Sequence, residues 1–399
     1  MKKSLIAFAA LGALNAFTGT AQAESSVALY GLLDTSVGNF KTNVVLGSTV
    51  RSLSQTKVQP DGLNGSRWGM RMREDLGGGL AAVANLESGF ALDTGASLQG
   101  GLLFGRRANV GLAGGFGTVT LGRNSTAYED VALDNPMAHS FFDPSQINNG
   151  PATTVAGAAL TAANAAALLS HDGRTWVGYQ TRFNNSIKYT SPTVAGFSGS
   201  VVLGLGEDKA TPVAAAHAST SVSAYLKYVQ GPLLVSAAYQ SEAPGGTLGV
   251  GGAGTANAAI GNAKPALENT LLTAVYDFGV ARLGAGFNRA QYKDVAVPLH
   301  LGPAGGSFAV QNELSLSIAV PLGLTTLSAG VARSKGDTLG TSTGFGVQAL
   351  YTLSKRTTLY AGGLSTKAYD KLADAVTVAL PGSSIGRTTT YATGIRHTF

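Results

Sequence analysis

From Ser26 onward, apolar and polar residues alternate one for one. Val27, Leu29, Gly31, Leu33, Thr35 and Val37 fall on one face of an extended chain, and Ser26, Ala28, Tyr30, Leu32, Asp34 and Ser36 on the other. A period of two belongs to a β-strand, whose successive side chains point to opposite sides. Similar runs recur to the last residue, punctuated by Gly, Pro, Asp and Ser, the residues that tight turns require. After residue 23 no apolar run reaches the roughly 20 residues of a spanning helix. The longest uncharged run, Ser145 to Ser170, is mostly Ala, Thr, Asn and Gly, too weakly apolar to insert.

The first 23 residues read differently. Lys2 and Lys3 precede an apolar stretch from Leu5 to Phe17, and Ala21-Gln22-Ala23 fits the small-x-small cleavage rule. Residues 1–23 are therefore expected to be a secretory signal peptide, and residues 24–399 the mature chain. Without Lys2 and Lys3 the mature chain carries 26 basic and 22 acidic residues, a net +4. Charged residues are 13% of the chain, against about 25% in ordinary soluble proteins. Mean hydropathy is +0.16, which excludes intrinsic disorder. The absence of cysteine excludes disulfides, thiolate metal sites and cysteine nucleophiles. An exported, mildly apolar chain of strands with no spanning helix fits a closed β-barrel in the outer membrane, since lipid admits only helices and closed barrels.

The alternation predicts strands over 25–39, 66–76, 79–91, 103–113, 116–124, 173–191, 196–207, 219–230, 232–243, 267–278, 280–293, 309–320, 323–335, 343–354, 356–367 and 387–399, sixteen in all. Their connections alternate between tight turns, such as Gly77-Gly78-Gly79, Gly114-Gly115 and Gln230-Gly231-Pro232, and long loops near 40–65, 92–102, 125–172, 208–218, 244–266, 294–308, 336–342 and 368–386. Tight turns on one side and long loops on the other mark an outer-membrane barrel. The Ala-rich stretch 152–169 suggests a short helix in the third loop, and the last strand ends on Phe399, an aromatic suited to a membrane interface.

Several motifs together resemble one family. They are Ser26-Val27-Ala28-Leu29-Tyr30-Gly31, Ser66-Arg67-Trp68-Gly69, Glu74-Asp75-Leu76-Gly77-Gly78-Gly79-Leu80, Leu86-Glu87-Ser88-Gly89-Phe90, Gly115-Phe116-Gly117-Thr118-Val119-Thr120-Leu121-Gly122-Arg123, Asn185-Ser186-Ile187 with Tyr189, Ala195-Gly196-Phe197, and the terminal Phe399. Spread over the mature chain, they resemble the trimeric general-diffusion porins of the Gram-negative outer membrane, of the β-proteobacterial type. The resemblance implies an all-β fold: a 16-stranded antiparallel transmembrane β-barrel whose third loop folds inward to narrow the pore. It also implies a homotrimer in contact with outer-membrane lipids, assembly through the barrel-assembly machinery with Phe399 as its C-terminal signal, and passive diffusion of ions and small solutes. Neither a cofactor nor a metal is expected.

Strand parity names the residues expected to line such a pore. Arg67, Gly69, Arg71 and Arg73 oppose Trp68, Met70 and Met72. An Arg facing lipid at the bilayer midplane costs about 2–4 kcal/mol, so the Arg face should turn to the lumen. Arg107 and Asn109 oppose Ala108, Val110 and Leu112, and Asn85 and Glu87 oppose Ala84 and Leu86. In 173–191, Arg174, Gln180, Arg182, Ser186 and Lys188 oppose Val177, Tyr179, Phe183 and Ile187. Arg123 sides with Val119 and Leu121 by strict alternation, yet the family pattern puts an Arg there on the pore wall, and a bulge can re-aim a strand-end residue. The expected basic wall is thus Arg67, Arg71, Arg107, Arg123, Arg174 and Arg182. Across from it the inward third loop would hold Glu129, Asp130, Asp134 and Asp143, although the Pro-Glu-Phe-Gly signature common in that loop is replaced by Asp134-Asn135-Pro136-Met137-Ala138-His139. The net positive charge and the Arg cluster predict weak anion preference, and a channel selective for a small organic anion or sugar is the alternative.

Other signals carry less. Gly249-x-Gly251-x-x-Gly254 lacks the strand–turn–helix setting of a dinucleotide site. Ser170-His171-Asp172 holds triad residue types as sequence neighbours, whereas triads converge in space. His139, His171, His217, His300 and His397 lack metal-ligand spacing. No basic run interleaved with aromatics suggests nucleic acid, and no Asp/His/Ser set suggests a barrel enzyme.

Overall fold

A computed structural model describes residues 25–46, 49–137, 140–145, 175–176, 179–206, 220–242, 266–293, 310–337, 340–367, 370 and 384–399. The expected signal peptide 1–23, Arg174, Ser170-His171-Asp172, the Ala-rich stretch 152–169 and all but the last residue of the 244–266 loop lie outside them.

The described residues form seventeen strands and one short helix. The strands are β1 (Ser26–Leu46), β2 (Thr49–Gln59), β3 (Arg67–Gly77), β4 (Leu80–Gly89), β5 (Arg107–Gly114), β6 (Gly117–Ser125), β7 (Arg182–Thr190), β8 (Phe197–Leu205), β9 (Thr220–Gln230), β10 (Leu233–Glu242), β11 (Ala266–Asp277), β12 (Arg282–Lys293), β13 (Gln311–Leu322), β14 (Thr325–Gly336), β15 (Gly340–Thr352), β16 (Thr357–Lys367) and β17 (Ser384–Thr398). The helix α1 is Ala127–Ala132, capped by Thr126, whose hydroxyl accepts from the Glu129 N–H, as N-caps do. Each strand from β3 to β17 pairs antiparallel with the next, and β17 pairs with β1, so the sheet closes. One edge of β1 serves two strands: residues 36–46 pair with β2 and residues 26–32 with β3. β2 and β3 thus share one place in the wall, and seventeen segments fill sixteen barrel positions.

The largest departures from the sequence reading are at three places. Residues 40–65, expected as a loop, continue β1 to Leu46 and return as β2, because a Ser- and Thr-rich chain still alternates when both ends are held in a ladder. The strand expected from 103 begins at Arg107, and the one expected from 173 begins at Arg182. Trp176 and Tyr179 are buried inside the barrel against α1 instead of extending the strand.

The faces follow the register. Val27, Leu29, Val37, Leu314, Leu316, Val331, Phe345 and Tyr391 are exposed on the outside. Inside, the buried residues are mostly polar: Asp34, Ser36, Ser186, Ser236, Gln240, Asn269, Asn288, Glu313, Ser334 and Gln348. Asp34, the acid on the polar face of the first strand, is fully buried and bonded. Its carboxylate accepts the N–H groups of Leu63 at 3.0 Å and Asn64 at 2.8 Å, and the hydroxyl of Tyr360. This folds the link between β2 and β3 inward.

The chain leaving β6 also turns inward and crosses the lumen along the far wall. Tyr128 donates its N–H to Ser223 of β9 and its hydroxyl to Asn288 of β12, each at 2.8–2.9 Å. Ser140 then donates to Gln348 of β15, and the Phe141 N–H to the Gly62 carbonyl at 2.8 Å. Wall glycines make the room. A Cβ on Gly284 would lie 2.3 Å from Pro136, on Gly330 2.7 Å from the Met137 sulfur, and on Gly346 1.8 Å from the Phe142 carbonyl oxygen. Gly346→Val is therefore expected to lift the loop and cost about 1–3 kcal/mol through overpacking. Chymotrypsin should then cleave at Phe141 or Phe142, whereas the native chain and Gly115→Ala, whose new Cβ meets nothing within 4 Å, should resist.

Candidate functional site

Opposite the glycine wall stands a wall of arginines. Arg67 pairs with Leu32 of β1 and Gly89 of β4, Arg71 with Ala28 and Asn85, and Arg107 with Glu87. Direct cross-strand partners share a face, so Arg67, Arg71, Arg73, Asn85, Glu87, Arg107 and Asn109 point inward together with Tyr30. Arg71 lies over the Tyr30 ring, 4.1 Å from its centre, a cation–π contact. The Tyr30 hydroxyl donates to Glu87 at 2.7 Å, and Arg106 Nε meets the other Glu87 oxygen at 2.6 Å. Arg67 stands beside Arg106, Arg107 and Glu87. Among the described residues no acid forms an ion pair with Arg67, Arg71 or Arg107.

Arg106 escaped the sequence reading. Strand parity that turns Arg107 inward turns Arg106 outward, but β5 begins at Arg107 and alternation does not govern the residue before it. The tandem pair at a strand start was the available signal.

Arg123 and Arg182 meet where the ladder is irregular. The β6–β7 register slips between Gly122 and Asn124, with two residues of β7 facing one of β6. Gly122 takes φ +125° and Asn185 φ +47° there, the geometry of a bulge. Arg123 Nε donates to the Gly105 carbonyl at 2.7 Å and its Nη1 to Asn184. Arg182 Nε donates to the Arg106 carbonyl at 2.8 Å, with Arg106, Glu129, Arg123 and Glu87 as its charged neighbours. The slip also corrects the single parity read across 173–191, since Phe183 and Tyr179 are buried against α1 and its surroundings.

The four loop acids divide. Glu129, in the first turn of α1, accepts the Tyr179 hydroxyl and has Arg182 and Arg106 among its charged neighbours. Burial pushes its carboxyl up, against the pull of Arg182 and of the Tyr179 hydroxyl. Asp130 pairs with Lys188 at 2.5 Å. Asp134 turns the other way, to Lys227 of β9 at 2.7 Å and Ser236 of β10 at 2.9 Å. Among the described residues Asp143 meets no cation. It is buried and accepts from the Ser145 N–H and hydroxyl and from Asn135, at 2.7–3.0 Å. Glu129 and Asp130 thus meet the basic cluster, whereas Asp134 and Asp143 hold the loop's course. The cluster comprises Arg67, Arg71, Arg106, Arg107, Arg123, Arg182 and Lys188, seven cations, around the three carboxylates of Glu87, Glu129 and Asp130.

The pairing pattern separates two neighbouring arginines. Arg106→Gln leaves the Glu87 carboxylate buried without its ion pair and should destabilise the barrel by about 2–4 kcal/mol. Arg107→Gln removes a cation that forms no ion pair among the described residues and should cost under about 1 kcal/mol. Urea unfolding of both variants in lipid vesicles measures the difference.

A family model described as Gram-negative porin matches residues 7–370. An outer membrane porin protein of Bordetella pertussis is 30% identical over 439 aligned residues, covering the whole of both chains. The outer membrane porin protein 32 of Delftia acidovorans is 30% identical over 421, again covering both chains entirely. Among solved structures, an anion-selective porin from Comamonas acidovorans superposes with a TM-score of 0.68 at 24% identity, over 94% of this chain and all of that one. OmpT of Vibrio cholerae superposes with a TM-score of 0.55 at 16% identity, over 94% and 98%. A closed barrel of sixteen positions and a likeness to outer membrane porins along the whole chain have one reading: this protein belongs to the Gram-negative porin family and is an integral β-barrel of the outer membrane.

Proposed function

We propose that the barrel is a passive, water-filled channel for ions and small hydrophilic solutes, weakly preferring anions, with no catalytic role. The observation that carries the sign is the excess of seven cations over three carboxylates where the inward loop faces the arginine wall. Side-chain charge at a narrow point sets the selectivity of a pore. The basic wall works through Arg67, Arg71 and Arg107, none of which forms an ion pair with an acid among the described residues, together with Arg123 and Arg182; Arg174 is proposed to belong to the same wall. Glu129 and Asp130 oppose them electrostatically, and Asp134 and Asp143 shape the loop. The same arginines favour, as a second reading, a channel that selects small organic anions.

In this proposal residues 1–23 direct export and are removed, Phe399 guides barrel assembly, and the working unit is a homotrimer. Strand length supports the last point. A spanning strand needs about 9–11 residues; β5, with 8, falls just short of that, and β6, β7 and β8, with 9 each, stand at its lower limit. That low side of the wall, apolar outside at Val110, Leu121, Ile187 and Leu203, suits cover by another copy better than cover by lipid.

The reversal potential of the purified protein in a planar bilayer under a KCl gradient tests the channel and its sign. Chloride should permeate several-fold better than potassium, and Arg67→Gln with Arg71→Gln and Arg107→Gln should bring the ratio to or below one. A protein giving no conductance steps would sink the channel reading. The raised Glu129 carboxyl adds a pH dependence. As pH falls from neutral, Glu129 takes up its proton ahead of ordinary carboxylates, the cluster loses a negative charge, and anion preference rises. Glu129→Gln should show the higher preference already at neutral pH, with a flatter pH profile.

A further inference from the structure

Beyond the end of the β3 ladder, residues 36–46 of β1 form a hairpin with β2 at the end of the barrel opposite the tight turns. The inward row of β1 runs from Asp34 and Ser36 through Gly38 to Phe40, and Phe40 lies beside Thr390 of β17, which is buried. On β2 the same face carries Gln55, the direct partner of Phe40, and Lys57, the partner of Gly38. Phe40 is the one aromatic residue in that row between positions 34 and 44. It is half-buried, and Lys57 is exposed. Phe40 stands eight residues along β1 from Leu32, the partner of Arg67, roughly 26 Å along the strand. This place is therefore separate from the arginine wall.

The inward loop brings a second ring to the same place. Phe141 meets Phe40 edge-on, with ring centres 6.1 Å apart, and is itself half-buried. Behind it stands the apolar cluster of Phe142 and Tyr360, so the pair has a packed support while part of each ring faces the lumen. Lys57 Nζ lies over the Phe40 ring, 4.8 Å from its centre, and among the described residues forms no ion pair with an acid. Such a cation–π contact leaves donors of the ammonium for a carboxylate. A further ring set edge-on or offset against Phe40 has its centre about 4.5–7 Å away. A carboxylate on that ring then comes within about 2.7–2.9 Å of an ammonium standing where Lys57 does.

We infer that Phe40, Phe141 and Lys57 form a resting site for small aromatic carboxylates at the long-loop mouth of the lumen, the ring seated on the two phenyl groups and the carboxylate on the ammonium. This site deepens the reading of the barrel as a channel for small organic anions, and rests on it for the route by which a solute arrives. The class follows from the two features together: an aliphatic acid meets the Lys57 charge without a ring contact, and a neutral sugar leaves that charge unused.

The test follows 4-fluorobenzoate by fluorine NMR as it binds folded full-length protein in detergent micelles, and displaces it with benzoate or with cyclohexanecarboxylate. The two acids share charge and approximate size, and only benzoate has a π-face. Benzoate should displace the probe at a concentration about 3- to 10-fold lower. Phe40→Leu should erase that difference and Phe40→Tyr should keep it, whereas Lys57→Gln should weaken both acids about three- to fivefold. The triple variant Arg67→Gln, Arg71→Gln and Arg107→Gln should keep the preference for benzoate. The site is ruled out if the probe does not bind, if the two acids compete equally in the native protein, or if Phe40→Leu lowers stability and leaves the preference intact. It is ruled out equally if the arginine triple, and not Phe40→Leu, abolishes the preference, since the wall would then be the binding place. Chloride conductance in a planar bilayer is read separately. Binding without conductance steps sinks the channel and leaves the site standing, and conductance without a preference for benzoate sinks the site alone.

Discussion

A backbone N–H or C=O facing lipid has no water to turn to, so every one of them must find its partner in a neighbouring strand. Everything else in this molecule depends on the sheet closing, and it closes at β1 and β17. The seam runs from Leu32 opposite Thr398 to Val45 opposite Ser384. Its lower end is fastened by Gly31 and Phe399, each donating its N–H to the other's carbonyl at 3.1 Å. The Phe399 ring lies where a Cβ on Gly31 would be, at 2.1 Å. A larger residue at position 31 would push the ring away from the seam.

Closure also explains why the barrel was legible in the sequence. A wall with lipid outside and a polar interior inside forces alternation on each strand, and that alternation is readable at Val27, Leu29 and Tyr30, or at Trp68, Met70 and Arg71. It also fixed the inward row Arg67, Arg71, Asn85, Glu87 and Arg107 through parity alone. Legibility ended where regularity ended. Arg106 stands one residue before its strand, Arg123 and Arg182 flank a register slip, and Tyr179 and Trp176 belong to a chain that has left the sheet. At these positions strict alternation is no guide: it named Arg182 for the wall but set Arg123 on the other face, and Arg123 was reached only through the family pattern. The division of the loop acids was equally hidden, because Glu129, Asp130, Asp134 and Asp143 are set apart by tertiary partners far away in the chain, such as Lys188 and Lys227.

The inward loop is held by complementary means on its two sides. Toward the arginines its contacts are charged, through Glu129 and Asp130. Toward β9–β16 they are neutral hydrogen bonds and close backbone packing, with Asp134–Lys227 as the ionic exception. Buried Asp34 plays a similar part for the link between β2 and β3: a carboxylate inside the wall binds two backbone N–H groups of a segment that no strand would otherwise hold. Leu63 of that link packs in one apolar cluster with Met137, Phe142 and Tyr360, so the two inward segments support each other.

The glycine wall and the arginine wall lie on opposite sides of one lumen, and this gives natural selection two separate handles. The width beside the loop depends on hydrogen atoms standing where side chains could be, at Gly284, Gly330 and Gly346. A single codon change there alters how far the loop reaches while leaving every charge in place. In the proposed channel the sign and strength of the field depend on Arg67, Arg71 and Arg107, which stand on the opposite side of the lumen from those glycines. A lineage meeting a new solute could thus retune size exclusion and charge discrimination in either order, one substitution at a time.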